Sequence, residues 1–162
     1  MNNNSIKNII LHCNKYEKSK TQINNNLTVD DILIDILKKK QNENLYEALN
    51  EIKNNKKKTS HWAWWAFPTN KTGKSESNPK TYLTKTAAKK YLNNYPIIWK
   101  NLLEEINKVI KENNKKIFPR IDNGRIEFFI EFFKEIIKNN NNEPEWLSEI
   151  LKTLEDNKGI YY

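Results

Sequence analysis

The chain holds a single cysteine, Cys13, in 162 residues. It can form no internal disulfide, which fits a reducing compartment, and the cytoplasm is the expected location. Histidine is as scarce, with His12 and His61 alone. His12 and Cys13 are adjacent, which is not a ligand spacing, so neither a metal nor a cofactor is expected. No apolar run approaches the roughly 18 residues of a membrane span, and no membrane partner is expected. The start, Met1-Asn2-Asn3-Asn4-Ser5, has no basic region followed by an apolar stretch, so no secretory signal is expected. Glycine, proline and arginine are also rare: three Gly, five Pro and two Arg.

What is present suits one domain. The composition is 37% hydrophobic and 11% aromatic, enough for a buried core, while 30% is charged. The mean hydropathy of -0.89 implies a very polar surface. Net charge is +8, and all but two of the 28 basic residues are Lys. Lys, Asn and Ile together are what AT-rich codons favour. Coding bias and a solvated surface therefore explain the charge better than a polyanionic partner, which is the alternative.

Against that background the rarer residues cluster. Three of the five Trp fall in Trp62-Ala63-Trp64-Trp65, and both Arg fall in Pro119-Arg120-Ile121-Asp122-Asn123-Gly124-Arg125. Gly73 and Gly124 lie in the same two segments, residues 59–75 and 118–125.

Along the chain, residues 1–27 read as an Asn- and Lys-rich arm, and a single domain is expected over 28–162. Thr28 reads as a helix N-cap with Asp30 and Asp31 in the first turn. Ile32, Leu33, Ile36 and Leu37 follow at helical spacing, and Lys38, Lys39 and Lys40 close that helix. Leu45, Leu49 and Ile52 mark a second helix. Residues 59–84 have no helical period and read as loop, with a short strand at 62–67. A third helix covers 86–92. Pro96 opens the clearest amphipathic helix, with Trp99, Leu102, Leu103, Ile106 and Ile110. From Gly124 a nearly all-apolar helix, Ile126 to Ile137, is expected at the centre. Residues 139–142 are a linker, and Pro144 opens a last helix.

Three constellations could carry chemistry. In Ser60-His61-Trp62-Ala63-Trp64-Trp65-Ala66-Phe67-Pro68, Trp rings can wall a pocket and stack on flat heterocycles or cations. Core packing is the plainer role for Trp64. His61 can serve as acid, base or phosphate donor. In Thr69-Asn70-Lys71-Thr72-Gly73-Lys74-Ser75, Gly-Lys-Ser resembles the end of a P-loop. The loop fails the test, because the position needing the first Gly is Pro68, which has no N–H. Lys74 and Ser75 could still hold one anion. In the third segment, Arg120 and Arg125 offer planar forks for carboxylate or phosphate, and Asp122 is placed to orient a basic side chain. A triad of Ser60, His61 and Asp122 is disfavoured, since adjacent Ser and His side chains rarely face each other.

These residues resemble an uncharacterised family, the domain of unknown function 1810, some members of which carry a mistaken calpastatin label. Its Lys-x-Ser-His-Trp-x-Trp, Phe-Pro and Gly-x-Ser elements match Lys58, Ser60, His61, Trp62, Trp64, then Phe67 and Pro68, then Gly73 and Ser75. Tyr82, Tyr91, Leu92 and Pro96 follow the family pattern, as do Asp122, Arg125 and Phe133. The resemblance covers about residues 45–133. Tyr95 stands where the family usually has His, and Phe128-Phe129 replaces a Ser pair. The resemblance implies a small helical domain with an aromatic, His-containing pocket, and no reaction.

The expectation is thus an all-α fold, a small orthogonal bundle of five to seven helices with an irregular aromatic loop. Residues 59–75 and 118–125 should meet in one cleft. That cleft should bind an anionic small molecule of the nucleotide class. Ser60, Trp62, Trp64, Trp65, Pro68, Lys74, Ser75, Arg120 and Arg125 would bind it, and His61 and Asp122 would handle protons if it is catalytic. The alternative is nucleic-acid binding by Lys56, Lys57, Lys58, Lys71, Lys74, Lys89 and Lys90, with exposed Trp rings stacking on unpaired bases.

Overall fold

The computed structural model describes residues 27–71, 80–113, 116–138, 144–157 and 160–162. The N-terminal arm, the 139–142 linker and the stretch holding Gly73, Lys74 and Ser75 lie outside these. Among the described residues there are six α-helices, one 3-10 turn and no strand, so the fold is all-α. The helices are α1 (Val29–Asn55), α2 (Ala63–Ala66), α3 (Lys85–Leu92), α4 (Ile97–Asn113), α5 (Asn123–Lys138) and α6 (Glu145–Asp156); the 3-10 turn is Arg120–Asp122.

Two expected helices are one. Helix α1 runs unbroken through the Lys-rich stretch at 38–40. Nothing there breaks a helix, and Gln41 ties its middle to the core. The Gln41 amide donates to the Trp65 carbonyl at 2.9 Å, and its oxygen accepts from the Tyr91 hydroxyl at 2.7 Å. At its start the Thr28 hydroxyl accepts from the Asp31 N–H at 3.2 Å, and Asp31 accepts from the Thr28 N–H at 3.0 Å, a capping box. At its end Lys56 takes a left-handed φ of 52°, a conformation that favours glycine.

The strand expected at 62–67 is instead the helical turn α2, closed by Phe67 N–H donating to the Ala63 carbonyl at 2.9 Å. Its aromatic content suggested a strand, but the packing of Trp62 and Phe67 inward fixes a turn. Thr84 caps α3 by accepting from the Ala87 N–H at 2.9 Å. Helix α4 opens just after Pro96, whose carbonyl accepts from the Trp99 N–H at 3.0 Å. Helix α5 buries Ile126, Phe129, Phe133 and Ile136 and turns Glu127, Glu131 and Lys134 outward, so it keeps a polar face.

The centre is aromatic. Trp99 is fully buried and meets Tyr91, Phe129 and Trp146 edge-on at 5.0, 6.4 and 5.5 Å. Its indole N–H donates to the Ala66 carbonyl at 2.8 Å. Trp62, Phe67 and Phe118 form a second group, with Phe67–Phe118 at 5.7 Å and Trp62–Phe118 at 6.2 Å. That group draws the two irregular segments together, because each contributes rings that are stable only when buried against the other.

Candidate functional site

Backbone pairing completes the junction. The Lys58 N–H donates to the Ile117 carbonyl at 2.8 Å. Tyr162 N–H donates to the Phe118 carbonyl at 2.8 Å, and Arg120 N–H donates to the Tyr162 carbonyl at 2.9 Å. The Tyr162 hydroxyl donates to the Lys58 carbonyl. Residues 57–62, 117–122 and 160–162 are therefore held as one surface.

Glu51, near the end of α1, shapes the first of these. Its Oε1 accepts from the Thr59 N–H at 2.6 Å, the Ser60 N–H at 3.3 Å and the Trp62 indole at 2.9 Å. Burial alone would raise its pKa, but the hydrogen bonds from Ser60, Thr59 and Trp62 outweigh that and hold it below the usual carboxylate range. Trp62 is thereby fixed inward, which leaves Ser60 and His61 exposed.

The surface encloses a cleft of about 440 Å³, a size suited to a small molecule. Ser60, His61, Trp64, Ile121, Asp122 and Arg125 line it. Lys58 and Tyr162 complete it. Lys58 is buried, with its ammonium 2.9 Å from Asp122 Oδ2. Arg125 is 5% exposed, and its guanidinium lies 3.9 Å from the centre of the Trp64 ring. Burial pushes the Arg125 pKa down to about 10, so it stays a full cation at neutral pH. It sits in the first turn of α5, where the helix dipole opposes positive charge.

The sequence-derived residues divide. Ser60, His61, Trp64, Asp122 and Arg125 line the cleft. Trp62 does not line it: it is core, 2% exposed. Trp65 packs partly buried against the core, and Pro68 is buried. Trp64, whose plainer role was core, is the ring that borders the cleft. Arg120 lines a separate hollow of about 820 Å³ with Asn123 and Glu127. The 3-10 turn explains this: at three residues per turn, Arg120 and Asp122 face different ways. Lys74 and Ser75 lie outside the described residues. Sequence reasoning did not select Glu51, Lys58, Ile121 or Tyr162 as site residues. Only Lys58 carried a signal, as the first residue of the Lys-x-Ser-His-Trp-x-Trp element. Among the described residues no group of His, Cys, Asp and Glu could hold a metal ion.

The family model described as "Protein of unknown function (DUF1810)" matches residues 33–160. The chain belongs to that family. The match extends beyond the 45–133 stretch of motif resemblance on both sides and takes in Glu51, the 3-10 turn, α5 and α6. No curated protein and no solved structure matches the chain. No helix among the described residues is long and apolar enough to cross a membrane.

Proposed function

We propose that the cleft binds an anionic small molecule of the nucleotide class. The observation that supports this most is the Arg125–Trp64 stack, a buried guanidinium 3.9 Å from a Trp ring, in a cleft shared with His61. Arg125 meets the anion, Trp64 offers a ring surface for a flat heterocycle, and His61 donates to a phosphate or moves a proton. Asp122 holds Lys58 in place. Ser60, His61 and Asp122 share one cleft, so proton transfer to the bound molecule is within its chemistry.

A thermal-shift screen of nucleotides against wild type and His61→Ala tests the reading. A nucleotide should raise the melting temperature of wild type and raise that of the variant less. Recovery of the ligand unchanged marks a binding protein, and recovery of a product marks an enzyme. No stabilisation by any nucleotide overturns the proposal.

Nucleic-acid binding is less well supported. Lys56 stands 3.5 Å from Glu105, Lys71 3.9 Å from Glu131 and Lys90 3.2 Å from Asp31, and Lys58 is buried against Asp122. A phosphate backbone needs cations that acids do not already offset. Gel shifts with short single-stranded DNA and RNA at low and moderate salt decide between the readings.

A further inference from the structure

The Lys58–Asp122 pair is matched in charge but not in hydrogen bonding. The Lys58 ammonium stands 2.9 Å from Asp122 Oδ2, yet that oxygen is buried with no hydrogen-bond partner among the described residues. Charge joins the two, without an aligned hydrogen bond. Buried polar atoms are nearly always bonded, so an orphan of this kind calls for a reason. An ammonium carries three N–H donors, and Asp122 is the one carboxylate paired with that of Lys58 among the described residues. The cleft is thus lined by a buried lysine whose donors this carboxylate oxygen does not take up.

Both partners are held still. The Lys58 N–H donates to the Ile117 carbonyl at 2.8 Å, its carbonyl accepts from the Tyr162 hydroxyl, and its ammonium lies 5.4 Å from the centre of the Trp62 ring. The Asp122 N–H donates to the Pro119 carbonyl at 2.9 Å. Both side chains line the one cleft, so a fixed donor group and a fixed acceptor group stand side by side there. Their charges offset each other, and together they suit a neutral polar group better than a second anion.

The complement is a flat edge with an acceptor next to a donor. A lysine donates well to a keto oxygen, and a carboxylate accepts from the ring N–H beside it. Guanine, hypoxanthine and uracil present that edge. Adenine and cytosine reverse it, with an amino group in place of the keto oxygen and a bare ring nitrogen in place of the N–H. A ring seated the same way would then turn a donor towards Lys58 and an acceptor towards Asp122. Trp64, 38% exposed in the same cleft, offers the ring surface that seats it.

We infer that the Lys58–Asp122 pair reads the base of the ligand, Lys58 donating to a keto oxygen and Asp122 accepting from the adjacent ring N–H, so that an oxo-base nucleotide is bound in preference to an amino-base one. This deepens the proposed function and rests on it. It also makes Lys58 a ligand-binding residue.

Titration calorimetry of the full chain at fixed ionic strength tests it. The probes are GMP, IMP and UMP against AMP and CMP, with GMP methylated at its ring N–H as a control. At least one oxo-base nucleotide should bind about tenfold or more tighter than the amino-base nucleotide of the same ring size. Methylation of the ring N–H should weaken GMP by about tenfold. The double variant Lys58→Met, Asp122→Leu strands no charge and should bind oxo and amino bases alike. Amino bases binding wild type as tightly as oxo bases, or more tightly, overturn this inference and leave the nucleotide reading standing. A double variant that keeps the wild-type preference does the same, because the pair then serves the fold alone. Should the double variant fail to fold, the methylated probe decides, and its binding as tightly as GMP overturns the inference. Absence of binding by every nucleotide overturns both.

Discussion

The ammonium of Lys58 stands 2.9 Å from Asp122 Oδ2, with the Lys58 side chain 5% exposed and that of Asp122 13%. The same Lys58 ammonium lies 5.4 Å from the centre of the Trp62 ring. The pair joins the end of the α1 segment to the 3-10 turn across 64 residues of chain and forms part of the cleft floor. Its burial makes each partner dependent on the other.

Removing one partner should therefore be costly. Asp122→Ala leaves a buried ammonium without its carboxylate, and a loss of about 3–5 kcal/mol is expected. The double variant Lys58→Met, Asp122→Leu should recover most of it, because no charge is then stranded. Urea denaturation of both single variants and the double variant measures the coupling. Equal losses in the single and double variants would show that the pair matters only for packing.

Glu51 gives a pH signature. Its folded-state pKa lies below the ordinary carboxylate value, so its contribution is fully present above that ordinary value. The contribution is lost as pH falls through the lowered folded pKa. Glu51→Gln keeps an acceptor oxygen and removes the titration. Wild type should exceed the variant in urea midpoint at pH 7, and the difference should shrink steadily below about pH 4.5. A difference that is constant from pH 7 to pH 3 would rule out this role.

Gln41 is a buried amide with both ends bonded, to the Trp65 carbonyl and the Tyr91 hydroxyl. Gln41→Leu fills similar space and strands two buried polar groups. A loss of about 2–6 kcal/mol is expected from two unsatisfied groups at roughly 1–3 kcal/mol each. Calorimetric melting reads it. Adding Tyr91→Phe should recover part of the loss, since one stranded group is then gone.

Lys56 ends α1 with a φ of 52°. Lys56→Gly removes a side-chain clash, and a gain of about 0.5–1 kcal/mol is expected. The contact with Glu105 at 3.5 Å, with Lys56 about a third exposed and Glu105 largely buried, works against this gain. A lowered urea midpoint would mean that the contact outweighs the backbone term.

Much of the arrangement was legible in the chain. The α4 and α5 spacings mark buried faces directly, because a helix repeats every 3.6 residues and its apolar side must be covered. The break between two helices at 38–44 was misread, because local polarity suggested an end. The reason for continuity, Gln41 reaching Tyr91 fifty residues away, is not local. The cluster of rare residues pointed to the segments whose junction encloses the cleft, yet it gave no direction to individual side chains. Trp62 and Trp64 are two residues apart and had opposite fates.

By itself the sequence determined the all-α class, the two irregular segments and the family, since composition, period and motif are properties of the chain's order. Only the tertiary structure decided which side chains face the cleft. An irregular segment has no repeat to aim its residues, so their directions come from distant partners. Glu51 holds the Trp62 indole inward, Phe118 closes over it, and Tyr162 pins Lys58 from the far end of the sequence. With Trp62 committed to the core, Trp64 is left to stack with Arg125, and the three-residue period of the 3-10 turn sends Arg120 elsewhere.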